Sequence, residues 1–390
     1  MGAPGVIRHG VLWQARTSPW VVMAEQGRTT KVTVRFRRIV ADTRAASVSV
    51  GTRHACAVLR SGRVACWGAN DNGQTGDHTT INALVPVPVP GVTHARKVDV
   101  ATDHACALLT GGRVKCWGHN NHGQTGQPAA GGHEVAQLVP RTQGAVDVAT
   151  GHFGSCAALS SGRVVCWGDV PRNSSLSSIT TARSVDMMEG HMCVTLRDST
   201  SRCWGENGAG QLGVDPGDSF EPLVTPVLAP AVGRLSVGGG HTCAVNPAGA
   251  AWCWGSNVRA QLGSAKHRHQ AHFRPVPITG LDSPVSSLSA GMEDTCAITR
   301  RATLWCWGGN IFGQAGTGSP SQIQAAPGRV TAVPAGSRVV SVSMGDLTGC
   351  AVSEPGVVSC WGDNRVGQLG LGYWSKDRTH RTPTRVRDIG

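Results

Sequence analysis

A Cys-Trp-Gly tripeptide occurs seven times, at Cys66-Trp67-Gly68, Cys116-Trp117-Gly118, Cys166-Trp167-Gly168, Cys203-Trp204-Gly205, Cys253-Trp254-Gly255, Cys306-Trp307-Gly308 and Cys360-Trp361-Gly362. A second cysteine stands ten residues before each copy, at Cys56, Cys106, Cys156, Cys193, Cys243, Cys296 and Cys350. These leading cysteines step along the chain by 50, 50, 37, 50, 53 and 54 residues. Self-similarity at a regular interval signals a repeat architecture, and this interval is blade length, too long for leucine-rich or ankyrin units. Such repeats cannot bury their apolar surface singly, so the 390 residues read as one large domain rather than two or three.

Within the first copy, Cys56-Ala57-Val58-Leu59 and Arg63-Val64-Ala65-Cys66 flank Arg60-Ser61-Gly62. This suits a hairpin with a three-residue loop and Gly62 in the left-handed conformation. The register then pairs Leu59 with Arg63, Val58 with Val64 and Cys56 with Cys66, which puts both sulfurs on one sheet face. In a non-hydrogen-bonded pair they are close enough for a cross-strand disulfide. Zinc-binding cysteines usually come as closer pairs, and each copy offers only two ligands. Two readings stay open: seven disulfides, or fourteen buried thiols acting as small apolar side chains. Disulfides are favoured; each would stabilise by roughly 2 to 3 kcal/mol. They imply an oxidising compartment, hence an extracellular, periplasmic or cell-surface location, with the cytoplasm as the alternative. Against this, Val11–Ala24 gives no clean secretory signal, being interrupted by Arg16 and Pro19.

A β-branched run such as Val48-Ser49-Val50 precedes each hairpin, and beyond the tryptophan comes a turn ending in Gly-Gln-x-Gly, as at Gly73-Gln74-Thr75-Gly76. A Pro-containing segment such as Pro86–Val92 then supplies another strand. Four strands in seven copies describe an all-β, seven-bladed propeller of antiparallel blades. Ala57, Leu59, Ala65 and Trp67 point to one face of the blade and Cys56, Val58, Val64 and Cys66 to the other, so both faces are apolar, as blades packed on both sides require. The repeat tryptophans are core residues, each worth roughly 2 to 3 kcal/mol of burial. The third copy is short, and between Trp167 and Val185 the Gly-Gln-x-Gly turn is absent. The ring is expected to be closed by the terminal strand, with Pro383–Ile389 pairing onto the blade of Cys56. Residues 1–30 are expected to form a flexible tail and 31–390 the propeller.

These motifs resemble the regulator of chromosome condensation repeat family, from about residue 45 to the C-terminus. The family implies the propeller, while its members differ widely in function: a guanine-nucleotide exchange factor for a small GTPase, ubiquitin-ligase subdomains, a light receptor and a secreted inhibitor. The exchange-factor members use a protruding hairpin wedge, for which the connections here are too ordinary. Function is therefore expected of a non-catalytic protein-interaction scaffold that binds through face loops. The alternatives are a guanine-nucleotide exchange regulator and a basic chromatin or nucleic-acid adaptor using Arg28–Arg38.

No nucleophile elbow, phosphate loop or zincin helix occurs, and no cofactor or metal is expected. The formal charge of +12, spread along the chain, favours acidic partners, including nucleic acid or anionic membrane surfaces. No run of about 20 apolar residues suggests a transmembrane segment, and a monomer is expected. His54, His104, His191 and His241 recur at one repeat position and are read as structural, bonded to neighbouring backbone. The cluster His267, Arg268, His269, His272 and Arg274 is the candidate partner-binding segment. The connections to search first are 77–90, 127–144, 214–232, 264–284 and 317–337. Aromatic anchors are scarce, with one Tyr and five Phe, which points to arginine-led recognition.

Overall fold

The computed structural model of the chain describes residues 42–170, 174–215, 220–226, 232–264, 270–331, 333, 337–375 and 379–390, together with two short strands near the N-terminus. Those strands, Trp20–Val21 and Arg37–Arg38, pair antiparallel with each other. They belong to a unit that ends at Asp42, and Thr43–Gly390 form a second compact unit. Apart from Trp20–Val21, the stretch expected to be a tail lies outside the described residues, as do the basic residues Arg28, Lys31 and Arg35.

The second unit consists of seven antiparallel blades in chain order. Blade one comprises Ala45–Val50, His54–Leu59, Val64–Gly68 and Ala83–Pro88. The expected hairpin register is present: Val58 lies opposite Val64 and Cys56 opposite Cys66. The turn closes with the Leu59 amide donating to the Arg63 carbonyl over 2.8 Å, and Gly62 has φ 76°. All seven cysteine pairs stand at disulfide distance, with Cα separations of 4.0 to 4.1 Å.

The two faces of each blade pack as the alternation requires. Cys56, Val58, Val64 and Cys66 meet Val98, Val100, Ala107 and Trp117 of blade two. On the other side, Ala55, Ala57, Ala65 and Trp67 meet Cys350, Val352, Val358 and Cys360 of blade seven. The disulfide face of one blade therefore lies on the tryptophan face of the next.

Blade three is short, as its sequence is. Among the described residues it has three strands, and Val164–Gly168 is only partly buried where the equivalent strand of blade one is buried. Ring closure differs from expectation. His380–Arg385 does complete the ring, but as the fourth strand of blade seven, beside Val357–Gly362, rather than by pairing with the blade of Cys56. Every other fourth strand follows its own Cys-Trp-Gly strand by one long connection, and the last repeat obeys the same rule; without it the third strand of blade seven would have an open edge. The seam is closed by packing and isolated bonds. Trp67 donates to the Gln368 carbonyl over 3.0 Å, the Ala45 amide to Gly356, and Val386 and Ile389 join the core of blade one. Backbones come so close there that a Cβ at Gly345 would collide with the Gly51 carbonyl.

Candidate interaction faces

Each blade runs up in its first strand, down in its second, up in its third and down in its fourth. One end of the ring thus carries the connections from strand one to two and the long ones from three to four. The opposite end carries the short hairpin turns and the passages between blades. These are the long-loop face and the hairpin face.

The channel between the faces is walled by the first strands and encloses a cavity of about 470 Å³. Its polar side chains are largely occupied in joining blades. A side-chain oxygen of each first strand accepts a backbone N–H of the next blade: Ser49 from Val100, Asp99 from Thr150, Asp186 from Val237, Ser236 from Ala290, Ser289 from Met344 and Ser343 from Val50. Blade three has Ala149 at this position, and Asp147 takes over, accepting from Val185 over 3.1 Å. The ring of bonds is continuous, so these acids have a structural task. Lys97 lies 2.8 Å from Asp147 and 3.9 Å from Asp99. Enclosure would lower its pKa, yet Asp147 and Asp99 outweigh that and hold it raised. Enclosure pushes the Asp186 carboxyl up to about 7 against the pull of Lys97.

The recurring histidines are buried beneath the long-loop face, and three of them bind hydroxyls rather than backbone. His104 Nε2 lies 2.8 Å from Ser155 Oγ, His191 Nε2 2.8 Å from Thr242 Oγ1, and His241 Nε2 2.9 Å from Thr295 Oγ1, always in the next blade. Each hydroxyl donates to the carbonyl of a Gly-Gln-x-Gly-type turn: Gln124, Gln211 and Gln261. The same carbonyls accept the indole N–H of Trp167, Trp254 and Trp307. Burial pushes the imidazoles of His104, His191 and His241 down to about 3, and that of His54, whose equivalent neighbour Ala105 offers no hydroxyl, to about 4. Asp294 occupies the histidine position in blade six, and burial, then Asp346 and Glu293, hold its carboxyl well above the carboxylate range. Trp204 follows the blade that lacks the turn, and its buried N–H has no partner among the described residues. Sequence reading missed these chains because each needs residues about 50 apart in two repeats; the hydroxyl beside the next leading cysteine is the signal that reveals them.

Charge and apolar surface divide between the faces. Carboxylates gather on the long-loop face at Asp71, Asp103, Glu189, Glu293, Asp346 and Asp363, and three of its arginines are paired with them. Arg53 reaches Asp71 at 3.0 Å and Asp103 at 3.2 Å, Arg259 reaches Glu293 at 3.2 Å, and Arg365 reaches Asp363 at 2.7 Å. Asp346 at the channel mouth has a raised pKa, through burial and then Glu189 and Glu293. Of the ten exposed large hydrophobic side chains among the described residues, Ile81, Phe153, Val258, Ile311, Tyr373 and Trp374 belong to this face, and they include every aromatic. Phe153 stacks between His152 and His122, at 4.0 and 4.6 Å between ring centroids.

The hairpin face is basic. Arg60, Arg63, Arg113, Arg163, Arg300 and Arg301 are exposed in or beside its turns, and Arg96, Arg141, Arg183, Arg197, Arg338 and Arg385 are exposed around them. Some clip neighbouring blades: Arg197 donates to the Ser160 carbonyl and Arg300 to that of Pro247. Carboxylates are few, at Asp198, Asp282, Glu354 and Asp388, and one ion pair among the described residues joins Arg338 to Glu354 at 3.7 Å. Arginines that are spread along the repeats are thus gathered on one face by the fold. Of the candidate cluster, His267, Arg268 and His269 lie outside the described residues. His272 and Arg274 lie in the outer strand of blade five, His272–Pro277, where Arg274 is exposed. Among the described residues, no three or more His, Cys, Asp or Glu side chains gather to hold a metal, and no helix is long and apolar enough to cross a membrane.

Comparison with known proteins places the repeats. The regulator of chromosome condensation (RCC1) repeat matches residues 45–74, 97–124 and 339–368 in one form and 61–108 and 248–298 in another. Human HERC6, a probable E3 ubiquitin-protein ligase, is 31% identical over 30% of this chain and 11% of its own length. The ultraviolet-B receptor UVR8 of Arabidopsis thaliana is 38% identical over 26% of this chain and 23% of its own. The chain thus matches less than a quarter of the length of either relative. Among solved structures, Prp20p of Saccharomyces cerevisiae covers 87% of this chain and 76% of its own, with TM-score 0.53 and 18% identity. Human WBSCR16 covers 94% and 88%, with TM-score 0.52 and 19% identity. The chain is a seven-bladed propeller that carries regulator of chromosome condensation repeats within residues 45–124, 248–298 and 339–368.

Proposed function

We propose that the protein is a non-catalytic interaction scaffold that receives a protein partner on its long-loop face, outside the reducing cytosol. The observation that carries this reading is that the exposed aromatic side chains among the described residues, Phe153 on blade three and Tyr373 and Trp374 on blade seven, all belong to this face, among loops of uneven length. Large rigid side chains beside paired charges are what protein interfaces use as anchors, and uneven loops give a partner a shape to match. Interaction with proteins is the role recorded for a structural relative too: Prp20p is described with its binding to Gsp1p and histones. The seven cysteine pairs favour the oxidising location.

A photo-reactive residue placed at Phe153 or Tyr373 should crosslink to the physiological partner in the native source, and one placed at Arg113 should not. Crosslinks from Arg113 alone would contradict this assignment.

A further inference from the structure

The hairpin face is made to one plan, and its partner differs in kind from that of the long-loop face. Its seven turns close with the same spacing. Amides of Leu59, Leu109, Leu159, Leu196, Asn246 and Thr299 donate to carbonyls four residues on, and Ser353 lies opposite Val357. Turns of one length on seven blades spread their arginines over a plane rather than along a groove. Among the described residues the exposed aromatic side chains all belong to the opposite face, so no platform for stacking unpaired bases accompanies these arginines there. No helix stands on this face to enter a duplex groove either, since the single helix of the described propeller is the short Ser174–Ser178 turn between strands of neighbouring blades.

A plane of mostly unpaired guanidinium groups complements a plane of phosphates. We propose that the hairpin face docks on an anionic lipid bilayer. The guanidinium fork bonds phosphate oxygens bidentately. Each arginine held near such a surface raises partitioning roughly fivefold, an attraction that decays within a Debye length. The exposed arginines of this face, set against few carboxylates, then have a use, and the long-loop face is left turned away from the membrane and open to a protein.

The test is co-sedimentation of the whole protein with phosphatidylcholine vesicles, with and without about one-third phosphatidylglycerol. Arg60, Arg63, Arg113, Arg163 and Arg301 are exposed and make no side-chain bond among the described residues, so replacing all five by Gln should leave the unfolding midpoint in place. The expected result is salt-sensitive binding to the anionic vesicles alone, weakened more than about 100-fold in the five-Gln variant and unchanged in Arg259→Gln on the other face. Failure of the wild-type protein to bind at low salt, equal binding to neutral vesicles, or undiminished binding of the variant would overturn the proposal. Retention on duplex DNA without vesicle binding would do so too, in favour of nucleic acid.

Discussion

The two faces of the ring are assembled from the same seven repeats, yet they treat charge in opposite ways. On the long-loop face, arginines are bound to carboxylates, as in Arg53 with Asp71 and Asp103, and directly beneath lie the buried histidine, hydroxyl and tryptophan bonds that fix one blade to the next. On the hairpin face, arginines stand free on turns closed by backbone alone, as at Arg63 and Arg113. Substitution near the first face should therefore act on stability, and on the second on binding.

The largest separation is expected in acid. An unfolded histidine titrates near 6.5, whereas the four buried ones hold folded values of about 3 or 4. A depressed histidine pKa means that the unfolded chain takes up protons first, so stability is full above about pH 6.5 and falls as pH drops toward the folded values. At pH 5 this amounts to about 2 kcal/mol per histidine, partly offset by the raised carboxyls of Asp186 and Asp294, which act in the opposite sense. Denaturant titrations across this range should show the acid branch flatten in His104→Gln and stay unaltered in Arg113→Gln.

A smaller effect compares two tryptophans of the same packing. Trp254→Phe gives up the 3.0 Å bond to the Gln211 carbonyl as well as buried ring volume, and should cost about 1 kcal/mol more than the same change at Trp204. Trp204→Phe removes an N–H that has no partner among the described residues, so its cost in the same unfolding assay should be the lost packing alone. Smallest of all, Arg113→Gln and Arg163→Gln on the hairpin face should each shift stability by less than about 0.5 kcal/mol.

Much of this architecture is legible in the sequence. The ten-residue cysteine spacing, with a Gly before the second strand, dictates the hairpin register and the sulfur pairing, and the apolar alternation around Trp67 dictates burial on both sides. Ring closure was harder to read, because a Pro-led strand at the chain's end looks equally suited to either neighbour, and only the rule followed by the other repeats decides. The bond ring through Ser49, Asp99 and Ser343, and the chains from His104, His191 and His241, join residues in different repeats, so they emerge only when copies are set side by side. The division of charge was hidden for the same reason. Arginines some 50 residues apart look scattered along the chain, and become a face once each takes its place on an equivalent turn.

The measurement that bears most directly on this division of work is a hydrogen-exchange map of the protein on anionic vesicles against the protein free in solution. Protection confined to peptides spanning the turns 60–63, 110–113 and 160–163, with 69–82 and 119–132 exchanging as freely as before, is the predicted result. Protection of the long loops, or of both faces alike, would contradict it.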